Sequence, residues 1–282
     1  MTACVGEGAV WDVGDQALWW VDIPAGLIHR HAASGEERSW QIGEAVGCLA
    51  RRASGGLVLA TQSGFQFFEP ETGLGTAVAD PEADRPESRF NDGTTDPVGR
   101  FWAGTMARDK EPVSSFWRLD LDLSVARGWG GVSTANGLAF SPDGRRMYFS
   151  DSHPSTRVIW QADYDLETGE HGAPELFFDT RGLAGRPDGA TVDVDGCYWM
   201  AGVGGWQLVR ITPSGRVDRV VDLPVERPTR PMFGGPGLDT LYITTIGTNL
   251  TPGAARSQPL AGCLLAVDGL GAQGLPQARF AG

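Results

Sequence analysis

The sequence predicts an all-β fold, a six-bladed β-propeller built from four-stranded antiparallel blades. Six short apolar segments recur every ~40–50 residues, the period of a four-stranded blade. A Gly- or Asp-containing turn precedes nearly every one, as tight hairpins require. The composition agrees, with 40 glycines and 18 prolines for turns and 10 tryptophans as apolar anchors between them. Large β folds routinely reach 282 residues as one unit, so residues 1–282 are read as a single domain.

The six segments, in order, are Leu18–Val21, Leu57–Ala60, Phe101–Ala103, Met147–Ser150, Tyr198–Ala201 and Leu241–Thr244. Their turns are Gly14-Asp15, Gly55-Gly56, Pro97-Val98-Gly99, Pro142-Asp143-Gly144, Asp195-Gly196 and Gly237-Leu238-Asp239. No stretch keeps a helical period over three turns. A β-sandwich also spaces short strands regularly, but it does not usually repeat one hairpin signature six times. Radial repetition, by contrast, leaves only short, protected sheet edges. Only six residues precede Glu7. The closing outer strand is therefore expected from those residues, from Gln277–Phe280, or from both.

A formal charge of −12 argues against nucleic acid, which needs a concentrated basic face. Cys4, Cys48, Cys197 and Cys263 lie far apart without C-x-x-C spacing, so they are expected to be separate thiols. No signal peptide or membrane-spanning run is visible, and the expected state is a cytoplasmic monomer.

A second regularity lies about eight residues upstream of each turn, where the chain enters the strand that lines the axis. Four of these positions carry a carboxylate or amide closely followed by glycine: Glu7-Gly8, Asn91-Asp92-Gly93, Asn136-Gly137 and Asp188-Gly189. The other two blades have Gly47-Cys48 and Pro231-Met232. Asn-Gly and Asp-Gly are common turn dipeptides, and each alone reads as a turn. Their shared register instead places four polar side chains around one small volume. Facing carboxylates repel, and one must take up a proton unless a cation sits between them. Glu7 and Asp188 with the oxygen of Asn136 suit a hard divalent ion, Ca²⁺ ahead of Mg²⁺ or Mn²⁺. Zn²⁺ is less natural without His or Cys ligands.

These residues belong to longer motifs. Gly6–Trp11, Arg89–Gly93, Trp102–Met106, Asn136–Leu138, Pro187–Gly189 and Phe233–Gly235 resemble, in order, the SMP-30/gluconolactonase/regucalcin family. The resemblance implies a six-bladed propeller with one divalent metal, Fe²⁺ being a further candidate, that hydrolyses sugar lactones such as gluconolactone or xylonolactone. It implies Glu7, Asn136 and Asp188 as metal ligands, Arg89 and Asn91 as contacts to the lactone, and Asp188 also as the acid/base group. A substrate-contacting Glu that some relatives carry after Met106 has Glu111 as its neighbour here. Two other readings stay open: a phosphotriesterase-like hydrolase on the same metal, and a non-enzymatic calcium-binding or scaffold propeller.

Histidine chemistry is not expected from His29, His31, His153 or His171, although His153 could approach the channel mouth. No G-x-S-x-G nucleophile elbow is present. Gly202–Gly205 is a glycine-rich turn rather than a phosphate loop, and Trp206 beside it is either a pocket wall or a core residue.

Overall fold

The computed structural model describes residues 2–107, 112–249 and 257–282; Glu111 lies outside the described residues. Blade 1 comprises β1 (Gly6–Asp12), β2 (Ala17–Asp22), β3 (Leu27–Ala32) and β4 (Glu37–Gln41). Blade 2 comprises β5 (Val46–Arg51), β6 (Leu57–Thr61), β7 (Gly64–Glu69) and β8 (Leu74–Ala79). Blade 3 follows with β9 (Ser88–Thr95), β10 (Phe101–Ala107), β11 (Ser114–Leu119) and β12 (Val125–Val132). Blade 4 has β13 (Ala135–Phe140), β14 (Arg146–Asp151), β15 (Val158–Asp163) and β16 (Glu175–Asp179). Blade 5 has β17 (Arg186–Val192), β18 (Tyr198–Val203), β19 (Gln207–Ile211) and β20 (Val217–Asp222). Blade 6 pairs β21 (Pro228–Gly234), β22 (Thr240–Thr245) and β23 (Leu265–Val267) among the described residues. The strands of each blade pair antiparallel in sequence order, so the predicted six-bladed propeller is what the chain forms.

All six apolar segments fall in the second strand of their blade. The core explains why they read as unbroken apolar runs rather than alternating ones. Six hydrophobic clusters fill the wedges between neighbouring blades, so a second strand buries both of its faces. Trp19 and Val21 pack towards blade 2, while Leu18 and Trp20 pack towards blade 6. Tyr198 and Met200 likewise face blade 4, and Trp199 and Ala201 face blade 6. Successive side chains on a strand point to opposite faces, so both sets must be apolar. The four cysteines are free thiols.

The six first strands contact one another in a ring around the axis. Among the described residues the ring closes without the expected exchange of an outer strand: β1 to β4 complete blade 1, and β21 to β23 follow one another in blade 6. Packing and two tethers hold it instead. Trp11 of blade 1 stacks on Tyr242 of blade 6 with centroids 5.5 Å apart. The first residues tie the blades at one end: Ala3 N donates to Gly262 O at 2.8 Å, and Val5 bridges Ile246. The C-terminal tail crosses the opposite end, and Gln277–Phe280 is part of this strap rather than a blade strand. Along it, Val194 N donates to Gln273 O, Thr95 Oγ1 to Ala278 O, Arg279 pairs with Asp12, and Phe280 bridges Arg52. Among the described residues, no helix is long and apolar enough to cross a membrane.

Phe280 is fully buried in the cluster between blades 2 and 3, and it anchors the strap. Phe280→Ala should therefore cost about 3–5 kcal/mol of unfolding free energy, the usual range for a core Phe truncation. Urea unfolding followed by tryptophan fluorescence measures it. A loss below about 1 kcal/mol would show that the strap does not hold the ring.

Candidate functional site

Each polar position singled out at the start of an inner strand lies at a β-bulge. The pairing of first and second strands slips between Glu7 and Val10, between Asn136 and Ala139, and between Pro187 and Ala190. It slips at the same level in β9, opposite Ala103–Thr105, and in the two blades without an acidic or amide residue there. These dipeptides are therefore not turns but bulges, which bend a strand and re-aim its side chains. The glycines serve this geometry in two ways. Gly8 and Gly137 have φ of 59° and 66°, the left-handed region that glycine enters without strain. Gly189 instead lacks room, since a Cβ there would lie 2.6 Å from Arg230 Cδ.

The bulges turn Glu7, Asn91, Asn136 and Asp188 into one pocket of about 140 Å³ at the end of the channel where the inner strands begin. Arg89, Arg186, Thr134, Ser152, Met106 and Thr229 also line it. Glu7, Asn136 and Asp188 are only 5%, 2% and 8% exposed, so three largely desolvated oxygen-bearing side chains line one small pocket. Asn136 Nδ2 donates to Ser152 Oγ at 2.6 Å, which leaves Asn136 Oδ1 buried with no hydrogen-bond partner. Among the described residues, Glu7 accepts only from the backbone N of Gly8, at 3.0 Å. Among the described residues, no cationic side chain lies within ion-pair distance of Glu7 or Asp188.

Burial, and then repulsion from Asp188 and Asp92, pushes the Glu7 carboxyl well above its ordinary range. Burial, then Asp92, raises Asp188 to about 7, although Arg186 and Asn136 pull it back. Asp92 sits one layer deeper and is itself neutralised by the buried Arg230. The deeper carboxylate is thus paired, and the two at the pocket are not.

Two devices fix the chain as it enters the inner strands. Asp22 Oδ2 and Oδ1 accept from Cys4 N and Val5 N at 2.8 and 3.0 Å, just ahead of Glu7. Asp151 does the same for Ser133 N and Thr134 N at 2.9 and 3.0 Å, ahead of Asn136. Both aspartates end the second strand of their blade, in Trp20-Val21-Asp22 and Phe149-Ser150-Asp151. That repeated position was a signal available in the sequence.

Arg89 and Asn91 form one unit. Arg89 Nη1 donates to Asn91 Oδ1 at 3.0 Å and to Phe90 O at 2.7 Å, while Asn91 Nδ2 donates to Ala135 O at 3.0 Å. Asn91 therefore braces Arg89 against the strand that carries Asn136. Burial lowers Arg89 to about 10, so the guanidinium keeps its charge near neutrality. The buried Glu82 secures this region from beneath, accepting from Ser88 Oγ, Thr105 Oγ1 and Trp117 Nε1. His153 bonds Ser155 beside the pocket, with its neighbours Ser152 and Pro154 in the lining. Trp206 is 40% exposed and lies outside both the lining and the core.

A hard divalent cation fits this donor set: two unneutralised carboxylates and an orphaned amide oxygen lining one small pocket. Among the described residues no cluster of three His, Cys, Asp or Glu side chains could hold a metal ion, so a cation here would need the amide oxygen beside the two carboxylates.

The profile of the SMP-30/Gluconolactonase/LRE-like region matches residues 5–247. The chain belongs to the SMP-30/gluconolactonase family. Within that family it is 38% identical to a Pseudomonas putida protein named 6-deoxy-6-sulfogluconolactonase, over 99% of this chain and 95% of that one. It is 36% identical to regucalcin of Danio rerio, with the same coverage. A solved structure described as a calcium-binding protein, regucalcin, from Agrobacterium tumefaciens superposes with a TM-score of 0.94 at 28% identity. That match covers 99% of this chain and 95% of the other.

The unneutralised carboxylates generate a prediction about the metal-free protein. Asp188 holds its proton more tightly folded, at about 7, than at the ordinary value of 3.8, and Glu7 shifts in the same direction. The native state thus binds more protons across that window, and stability must fall as pH rises through it. In chelator, Tm should decline from about pH 5 to about pH 8, and Glu7→Gln should flatten the decline. A wild-type Tm that rises over this range would contradict the assignment.

Proposed function

We propose that this protein is a divalent-metal-dependent sugar lactonase that opens aldonolactones to the aldonic acid. The observation that carries the reading is the orphaned Asn136 Oδ1 beside two unpaired carboxylates, with the Arg89 guanidinium in the same lining. A structural ion needs no cation-bearing clamp beside it, whereas a substrate with ring oxygens and hydroxyls does. The names borne by the relatives, a lactonase among them, support the same reading.

Glu7, Asn136 and Asp188 would hold the cation, with Ca²⁺ favoured by an all-oxygen set of loose geometry. When bound, the ion supplies Lewis acidity towards a carbonyl oxygen. Phe90 O, Asn91 and Met106 hold Arg89 in place, and its remaining N–H donors and its charge would face the ring oxygens and hydroxyls. Asp188 takes a proton from the water that adds to the lactone carbonyl. As the ring C–O bond breaks, it returns that proton to the departing alkoxide, so the product is the open acid. The pocket's small volume matches a single sugar ring better than a larger ligand, since drug-sized sites run to roughly 300–1,000 Å³.

Proton release from glucono- or xylonolactone, followed at constant pH, should exceed the spontaneous rate and return to it in chelator. Asp188→Asn keeps an oxygen ligand but removes the base, so kcat should fall by about 10²–10⁴-fold even at saturating cation. Arg89→Ala should act mainly through KM. Calcium binding without turnover of any lactone would instead favour a non-enzymatic calcium-binding role, and efficient turnover of phosphotriesters alone would favour that chemistry.

A further inference from the structure

The site pocket opens into a second concavity of about 440 Å³, and Arg186, Val203 and Ile246 line both. Arg157, Arg227 and Glu226 complete the charged lining of this groove. Among the described residues, none of these three arginines lies within ion-pair distance of a carboxylate. The chain holds 35 acidic against 23 basic residues, so carboxylate partners are plentiful elsewhere. Leaving three guanidinium groups unpaired beside one opening creates a local positive field on an otherwise acidic molecule.

The three have distinct attachments. Arg157 Nη2 is committed to the carbonyls of Thr180, Leu183 and Gly185, so it shapes the groove wall and contributes charge without a free fork. Arg227 gives one long bond, 3.3 Å, to Thr248 O. The Arg186 backbone pairs with Val203, but its side chain makes no hydrogen bond among the described residues, and it stands two residues before Asp188 on β17. Arg186 and Arg227 are both half-buried and therefore partly desolvated. Glu226 is the one carboxylate of the lining, and its backbone is pinned by Gln258 and by Gly204 N.

We infer that this groove takes an anionic tetrahedral group, a sulfonate or a phosphate, borne on the substrate at the end remote from the lactone carbonyl, between Arg186 and Arg227. The inference rests on the lactonase reading for its position and adds the substrate class. A pocket of about 140 Å³ holds the ring, so a substituent on the exocyclic carbon must project outwards, and the adjoining opening is the cationic groove. Arginine forks match tetrahedral oxyanions through paired N–H donors, which a neutral hydroxymethyl group cannot exploit.

The test compares kcat/KM of the metal-loaded full chain on three lactones: glucono-1,5-lactone, its 6-phosphate, and its 6-deoxy-6-sulfonate. One of the charged lactones should be preferred by about tenfold or more, the worth of one charge-assisted hydrogen bond. Arg227→Gln should erase most of that preference through KM, and Arg227→Lys should restore part of it. Whichever charged lactone shows the larger ratio identifies the substituent. Equal kcat/KM for neutral and charged lactones, or a preference untouched by Arg227→Gln, would overturn the inference while leaving the lactonase reading intact. If no lactone turns over, that reading fails, and calorimetric titration with 6-phosphogluconate and 6-deoxy-6-sulfogluconate decides the groove separately. Binding by wild type weakened at least about tenfold in Arg227→Gln supports the anion site, and no binding overturns it.

Discussion

The constraint on which this site depends is a charge imbalance inside the channel. Three carboxylates, Glu7, Asp92 and Asp188, are buried around the axis, and only Asp92 has a buried cationic partner, Arg230. A buried unpaired carboxylate must be protonated or meet a cation. The fold places two such groups and a partnerless amide oxygen on three separate blades, which together line one small pocket. Nothing in the hydrophobic packing requires these side chains. Raised carboxyl groups of this kind are a cost to folding at neutral pH, and a cation between them would offset it.

The propeller makes such a site by repetition. Six inner strands bulge at one level, so the same backbone device aims whichever side chain stands there towards the axis. The wedge-filling clusters hold blade against blade, and the N-terminal ties and C-terminal strap complete the ring without strand exchange. The strap crosses the end opposite the pocket. Its contribution to stability is thereby separated from the chemistry, and the pocket end is left to bulges, Asp22, Asp151 and the Arg89–Asn91 pair.

Much of this was legible in the sequence. Second strands buried on both faces announce themselves as apolar runs, so the six blades could be counted from Leu18–Val21 onwards. The polar–glycine dipeptides at a common offset disclosed Glu7, Asn91, Asn136 and Asp188 as a group. What escaped the sequence depends on register and long-range contact. A bulge is a relation between two strands, so the sequence could place the dipeptides in a common register but not say how the backbone turns their side chains inward. Asn91 lines the pocket as expected, but the sequence held no sign that its amide also braces Arg89 against Ala135. Gln277–Phe280 resembled an edge strand because the few apolar residues of a glycine-rich tail carry no sign of where they dock. Arg186 and Arg227 come from neighbouring blades 41 residues apart, and only the folded ring sets them around one groove.

The central claim is that Glu7, Asn136 and Asp188 form a site for one divalent cation. Calcium titration of the chelator-stripped protein, run by calorimetry near neutral pH in buffers of different ionisation enthalpy, tests it most directly. Because burial raises both carboxyl groups, cation binding should displace protons, and the apparent enthalpy should vary with the buffer. The account predicts saturation at one cation per chain with net proton release, and both should be lost in a Glu7→Gln, Asp188→Asn double variant. Absence of saturable binding, or binding of equal strength in that variant, would contradict it.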